Sequence, residues 1–153
     1  MFNHTYRVDC HWSGSTGAGY ETYSRAHEAG ASASGVRVRL SADPAFRGEA
    51  AMLSPEELLV LAAASCQLLS FLAVAARARV DVLQYDDDAE GTMPEDSSPM
   101  RLTRIVLRPQ IRVGNGTSEE RVRHLLEVAH RECYIANSLT TEITVEPSIT
   151  VAP

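Results

Sequence analysis

Apolar and polar residues alternate from Tyr6 to Trp12, the two-residue period of a strand with one face buried. The run Ser13 to Gly19 has the composition of a turn, and Tyr20 to His27 is expected to return as a second strand of a hairpin. Gly30 to Gly35 reads as another turn, Val36 to Leu40 alternates as a third strand, and Asp43 to Leu53 follows as an irregular loop. Ser54-Pro55-Glu56-Glu57 is a helix start: serine caps, proline suits the first helical position, and carboxylates suit the positive end of the dipole. The spacing carries this helix to Arg77 or Arg79. Val80 to Gly91 is expected as a strand, Thr92 to Pro99 as a polar loop, and Arg101 to Val113 as a strand pair or one bulged strand, since Pro109 cannot donate to a ladder. Ser118-Glu119-Glu120 opens a second helix, with Val122, Leu125, Leu126 and Ala129 at helical spacing up to Glu132, and Thr140 to Val151 is strand-like. Strands in runs rather than in alternation with helices indicate an α+β class.

Composition bounds the partners. The 153 residues are 44% hydrophobic and 22% charged, which describes one domain spanning 1–153 that can bury enough surface to fold. Fourteen Lys+Arg against 20 Asp+Glu leave a net charge of −6. Lysine is absent and the arginines are scattered among carboxylates, so no basic stripe offers itself to nucleic acid. Leu58 to Ala76 is a 19-residue stretch without a formal charge, long enough to span a bilayer. Ser65, Cys66, Gln67 and Ser70 interrupt it and no aromatic belt flanks it, so the expectation is the buried axle of a soluble domain, not a membrane span.

Three cysteines, Cys10, Cys66 and Cys133, are odd in number and far apart, without a CxxC pair, which argues against a disulfide framework or zinc ribbon. No secretory leader is read, so a cytoplasmic setting with reduced thiols is expected. There a cysteine is inert core or chemistry. Cys66 sits where a thiol is normally a small hydrophobe, and Cys133 follows the second helix. Both gain interest only if they meet, since a thiolate beside a resolving thiol can carry an oxidant through sulfenic acid to a disulfide. Cys10 is expected to pack within its strand. Asp86-Asp87-Asp88 reads as a solvated edge, and His4, His11, His27, His124 and His130 show no zinc or facial-triad spacing, so no metal site is expected. Gly14, Gly17 and Gly19 precede no helix and are not a dinucleotide fingerprint.

Several segments together resemble the OsmC/Ohr family of osmotically induced and organic-hydroperoxide-resistance proteins. They are Ser54-Pro-Glu-Glu-Leu-Leu followed by Ala-Ala-Ala-Ser-Cys66, Ala89-Glu-Gly91, and Cys133-Tyr-Ile-Ala-Asn-Ser138 before the final strand. Tyr23-Ser-Arg-Ala-His-Glu28 and Asp43-Pro-Ala-Phe-Arg-Gly48 resemble one OsmC-like branch. The resemblance implies an OsmC-like fold with antiparallel sheets around a long central buried helix, in an intertwined two-fold dimer with two interfacial sites. It implies a thiol-dependent peroxidase acting on organic hydroperoxides, with Cys66 peroxidatic, Cys133 resolving and Glu56 the active-site glutamate. The partner of Glu56 would be an arginine from the N-terminal strands, assigned to Arg25 with Arg37, Arg39 and Arg47 as competitors. No metal, haem or flavin is implied. The reductant would be an external dithiol, such as a lipoylated protein.

These roles agree with elementary chemistry. Only a thiolate attacks a peroxide oxygen, so a cation must approach the sulfur, and a guanidinium can do this while its fork holds a carboxylate. Leu58, Leu61, Leu69 and Phe71 offer an apolar wall suited to an alkyl hydroperoxide. If Glu56 and Cys66 share one straight helix, ten residues at about 1.5 Å each place them roughly 15 Å apart, so both line one site only if a second chain contributes. Two other classes remain open: an acyl hydrolase using Cys66, which needs a nearby histidine and has no use for Cys133, and a dimeric small-molecule or lipid-binding module.

Overall fold

In the computed structural model, which describes residues 1–153, the N-terminal alternation forms strand β1 (Val8–His11). Strand β2 (His27–Ala31) pairs antiparallel with it and with β3 (Arg37–Leu40), giving a three-stranded sheet in the order β1-β2-β3. The second strand therefore overlaps the expected Tyr20 to His27 only at His27 and runs on into the stretch read as a turn, ending at Ala31. Two features cause the shift. The Arg25 guanidinium bonds the carbonyls of Tyr20 and Tyr23 and holds that run in a turn. Gly30 lets the strand approach its neighbour, since a Cβ there would sit 2.5 Å from the Val36 carbonyl oxygen. The actual turn is tighter, with Gly35 at φ +68° donating to the Ala31 carbonyl at 3.0 Å. A short 3₁₀ turn (Pro44–Phe46) follows, capped by the Asp43 carboxylate on Ala45 N–H at 2.7 Å.

Helix α1 (Pro55–Arg77) begins with a reciprocal capping box: Ser54 Oγ accepts from Glu57 N–H at 3.2 Å, and the Glu57 carboxylate accepts from Ser54 N–H at 2.7 Å. It ends in a Schellman motif, Val80 N–H bonding the Ala75 carbonyl and Arg79 N–H the Ala76 carbonyl, with Arg79 at φ 56°. The chain divides into two compact units, Met1–Leu58 and Leu59–Pro153. The second holds β4 (Val82–Asp87), β5 (Glu90–Thr92), β6 (Arg104–Leu107), β7 (Pro109–Val113), α2 (Glu119–Glu132), α3 (Tyr134–Ser138), β8 (Glu142–Val145) and β9 (Ser148–Val151).

Val80 to Gly91 and Thr140 to Val151, each expected as one strand, break into two, and Arg101 to Val113 forms the strand pair that was one of its two expected forms. The breaks fall after Asp87, at Arg108 and at Glu146-Pro147, and each stretch passes from one three-stranded sheet to another. One sheet has the order β4-β7-β9 and the other β5-β6-β8. Pro109 and Pro147 lack the N–H that a continuous ladder would need, and the Asp87 carboxylate takes the Arg108 N–H at 2.7 Å. Asp87 is thus half-buried at a strand break, in place of the solvated edge expected for all three aspartates. Both sheets are mixed, not antiparallel, because β8 and β9 pair parallel to β6 and β7.

The α1 helix is buried along one stripe only: Ala63, Gln67, Phe71, Val74 and Ala75. Its first half packs through Ala63 on Ile105 and Leu107, and its second half through Phe71, Val74 and Ala75 on Ile111, Val113 and the apolar face of α2. Leu61 and Leu69 stay 57% and 64% exposed, and Leu72 is exposed as well. The expected all-round burial of this helix is not met within one chain. By length and composition α1 would suffice to cross a membrane, yet Gln67, at 0% exposure, reaches the α2 backbone from its middle.

Candidate functional site

In the first unit, a cavity of about 360 Å³ is lined by Trp12, Tyr23, Arg25, His27, Phe46 and Glu56, among others. The capping box places Glu56 in the first turn of α1, half-buried, with one carboxylate oxygen buried and without a hydrogen-bond partner. Arg25 precedes β2. Its two terminal nitrogens donate to the Tyr23 and Tyr20 carbonyls, both at 2.5 Å, and its guanidinium carbon lies 3.9 Å from the Tyr23 ring centroid and 4.7 Å from that of Tyr20. Cation–π contact and two carbonyls fix the charge in place without neutralising it. The Trp12 indole N–H holds the Ser24 carbonyl at 2.8 Å, and the Trp12 ring meets Tyr23 edge-on.

Arg25 and Glu56 therefore share one cavity, but no ion pair joins them. Two of the five guanidinium N–H groups go to the carbonyls. The competing arginines are placed elsewhere: Arg37 pairs with Asp9 and Glu28 across the sheet, Arg47 pairs with Glu21, and Arg39 is exposed on β3. Cys10 is exposed on β1, so the expectation of a packed cysteine fails.

In the second unit the structure brings Cys66 and Cys133 together. Cys133 caps the end of α2 and the start of α3, and is 1% exposed. Burial pushes its thiol above the ordinary range. The Ala136 N–H at the start of α3 opposes this, and the adjoining Cys66 thiol raises it again. Cys133 is accordingly held protonated, while Cys66 is half-buried on α1. Both are free thiols.

Two neighbours, Gln67 and Tyr85, belong to none of the motifs singled out in the sequence. Gln67, next to Cys66, donates to the Leu126 carbonyl at 3.4 Å and faces His130 Nδ1 at 3.3 Å, which ties α1 to the helix that ends in Cys133. Tyr85 lies near Cys133 with its hydroxyl buried and unpartnered; burial first of all pushes this phenol above its ordinary range, and the nearby Asp87 and Cys133 add to that. A polar residue at a core position of an apolar helix was the one available pointer to Gln67.

The family profile described as OsmC-like protein matches residues 48–148. Among solved structures, an OsmC-like protein of unknown function from Vibrio cholerae O1 biovar eltor is 31% identical, with a TM-score of 0.85, over 95% of this chain and 100% of that one. An organic hydroperoxide resistance protein OsmC from Legionella pneumophila is 18% identical, with a TM-score of 0.71, over 98% and 99% of the two chains. The organic hydroperoxide resistance protein OhrB of Bacillus subtilis is 15% identical, with a TM-score of 0.64, over 96% and 98%. At these last two identities the likeness is one of fold. No curated protein matches the chain.

Proposed function

The chain belongs to the OsmC-like family, and from that premise we propose that it is a thiol-dependent peroxidase reducing organic hydroperoxides. The observation that carries this reading is the meeting of Cys66 with a buried Cys133. The Cys66 thiolate attacks the terminal oxygen of ROOH, the O–O bond breaks, and the products are a Cys66 sulfenic acid and ROH. Cys133 then attacks the Cys66 sulfur, expelling water and closing a disulfide. An external dithiol, lipoyl groups being the expected kind, returns both thiols. A thiol beside Cys66 favours this cycle over acyl hydrolysis, which has no use for Cys133. The fold neighbours from Legionella pneumophila and Bacillus subtilis bear the description organic hydroperoxide resistance protein, in keeping with this substrate class.

In this reading the enzyme is a cytoplasmic, intertwined homodimer. Glu56 and Cys66 are ten residues apart on one continuous helix, roughly 15 Å along its axis. The cavity of Arg25 and Glu56 is therefore assigned to Cys66 of the partner subunit, where the guanidinium stabilises the thiolate and the aromatic walls take the organic group. The exposed Leu61, Leu69 and Leu72 supply an apolar surface for the second chain.

The test is consumption of cumene hydroperoxide with dihydrolipoamide as reductant. Wild type is expected to turn over at least tenfold faster than with hydrogen peroxide. Cys66→Ser should be inactive, and Cys133→Ser should reduce one equivalent without sustained turnover by the dithiol. A wild-type rate no higher than that of the dithiol alone would refute the reading.

A further inference from the structure

His27 opens β2 and lines the same cavity as Arg25 and Glu56. Its Nδ1 lies 2.9 Å from the Arg25 carbonyl oxygen. A carbonyl only accepts, so Nδ1 must carry a hydrogen, and Nε2 is the ring nitrogen left to exchange a proton with a guest. That nitrogen bonds no protein group. The bond also ties the ring to the backbone of the arginine assigned above to the thiolate. The cavity thus holds a fixed cation and, beside it, an imidazole with one nitrogen free for a guest. The other charged groups facing this cavity are Glu56 from α1 and Asp43 from the loop before the 3₁₀ turn.

A hydroperoxide needs both functions. Thiolate attack on the terminal oxygen expels an alkoxide, a poor leaving group unless a proton arrives as the O–O bond breaks. We propose that His27 is the proton donor to that departing oxygen, an assignment that rests on the peroxidase reading. The balance is RS⁻ + HOOR + imidazolium → RSOH + ROH + imidazole, and the ring regains from solvent the proton that Cys66 lost on ionising. Asp43 carries its charge elsewhere, with its carboxylate engaged by Ala45 N–H. Glu56 is the competing donor, since one of its oxygens has no partner.

The leaving group provides the test. A peracid expels a carboxylate, which needs no proton, whereas tert-butyl hydroperoxide expels an alkoxide. Single-turnover rate constants of the reduced enzyme are measured with tert-butyl hydroperoxide and with peracetic acid. His27→Gln, whose amide can still donate to the Arg25 carbonyl but cannot carry the proton, is expected to lose about 10²-fold with the alkyl hydroperoxide. Its loss with the peracid should be at least tenfold smaller. On wild type alone, a solvent deuterium isotope effect is expected with tert-butyl hydroperoxide and not with peracetic acid, a readout independent of how the variant folds. Equal losses on both oxidants, or leaving-group discrimination lost in Glu56→Gln but kept in His27→Gln, would overturn the assignment. A wild type that reduces neither oxidant would instead overturn the peroxidase reading itself.

Discussion

Replacing Gln67 by alanine and by leucine separates volume from polarity at the residue that joins α1 to α2 beside Cys66. The side chain is wholly buried, and its two hydrogen bonds are long, 3.4 Å to the Leu126 carbonyl and 3.3 Å to His130. Bonds at that length stand at the weak end, about 0.5 kcal/mol each. Truncation to alanine also leaves a cavity among Phe71-side core residues, which costs about 2 kcal/mol at the low end for large-to-small changes. Gln67→Ala is therefore expected to destabilise by about 3 kcal/mol. Leucine nearly restores the volume, forfeits about 1 kcal/mol of bonds and removes a buried amide that needed them, so Gln67→Leu should stay within about 1 kcal/mol of wild type. Urea denaturation at one fixed protein concentration measures both, since the midpoint of an oligomer depends on concentration. Equal destabilisation of both variants by 2 kcal/mol or more would refute the reasoning, because polarity and not packing would then dominate. So would an alanine variant as stable as wild type.

Other consequences are as direct. Arg25→Lys keeps a charge but loses the planar fork that holds two carbonyls and two rings; kcat/KM for cumene hydroperoxide should fall about 10²-fold, while Arg39→Lys changes it less than about threefold. In the reduced protein, iodoacetamide followed by peptide mass mapping should label Cys10 first and Cys133 last, since one is exposed and the other buried with a raised thiol. Labelling of Cys133 as fast as Cys10 would show that the α2–α3 junction is open. Burial holds the Asp87 carboxyl above the ordinary carboxylate range, ahead of the opposing Arg108 N–H. Its folded form binds the proton more tightly than its unfolded form, so its contribution is complete below the unfolded value and is lost as pH rises through the folded one. Denaturant midpoints from pH 4 upward should therefore decline less steeply for Asp87→Asn than for wild type.

The two helices were legible because their signals are local. Ser54 and Glu57 write a capping box, and Val122, Leu125, Leu126 and Ala129 repeat at helical spacing, so the bounds of α1 and α2 follow closely from the chain. Short strands were harder. The pattern of Val80 to Gly91 continues across Asp88-Ala89, and nothing local marks the crossing from one sheet to the other. The parallel pairing of β8 and β9 is also non-local, since it depends on where a distant segment returns. The late start of β2, at His27 instead of Tyr20, came from the Arg25 bonds to Tyr20 and Tyr23, a side-chain arrangement that alternation does not encode. Cys66, Cys133 and Glu56 were singled out by their motifs. Tyr85 was not, because what brings it to Cys133 is packing.

The central claim is that Cys66 and Cys133 form one redox pair. It is tested most directly by treating the reduced protein with one equivalent of cumene hydroperoxide per chain, counting free thiols and locating any disulfide by peptide mass. The account predicts loss of two thiols per chain to a Cys66–Cys133 bond, reversed by a dithiol, with Cys10 still free. Survival of both thiols, or a bond that joins Cys66 to Cys10 instead, would contradict it.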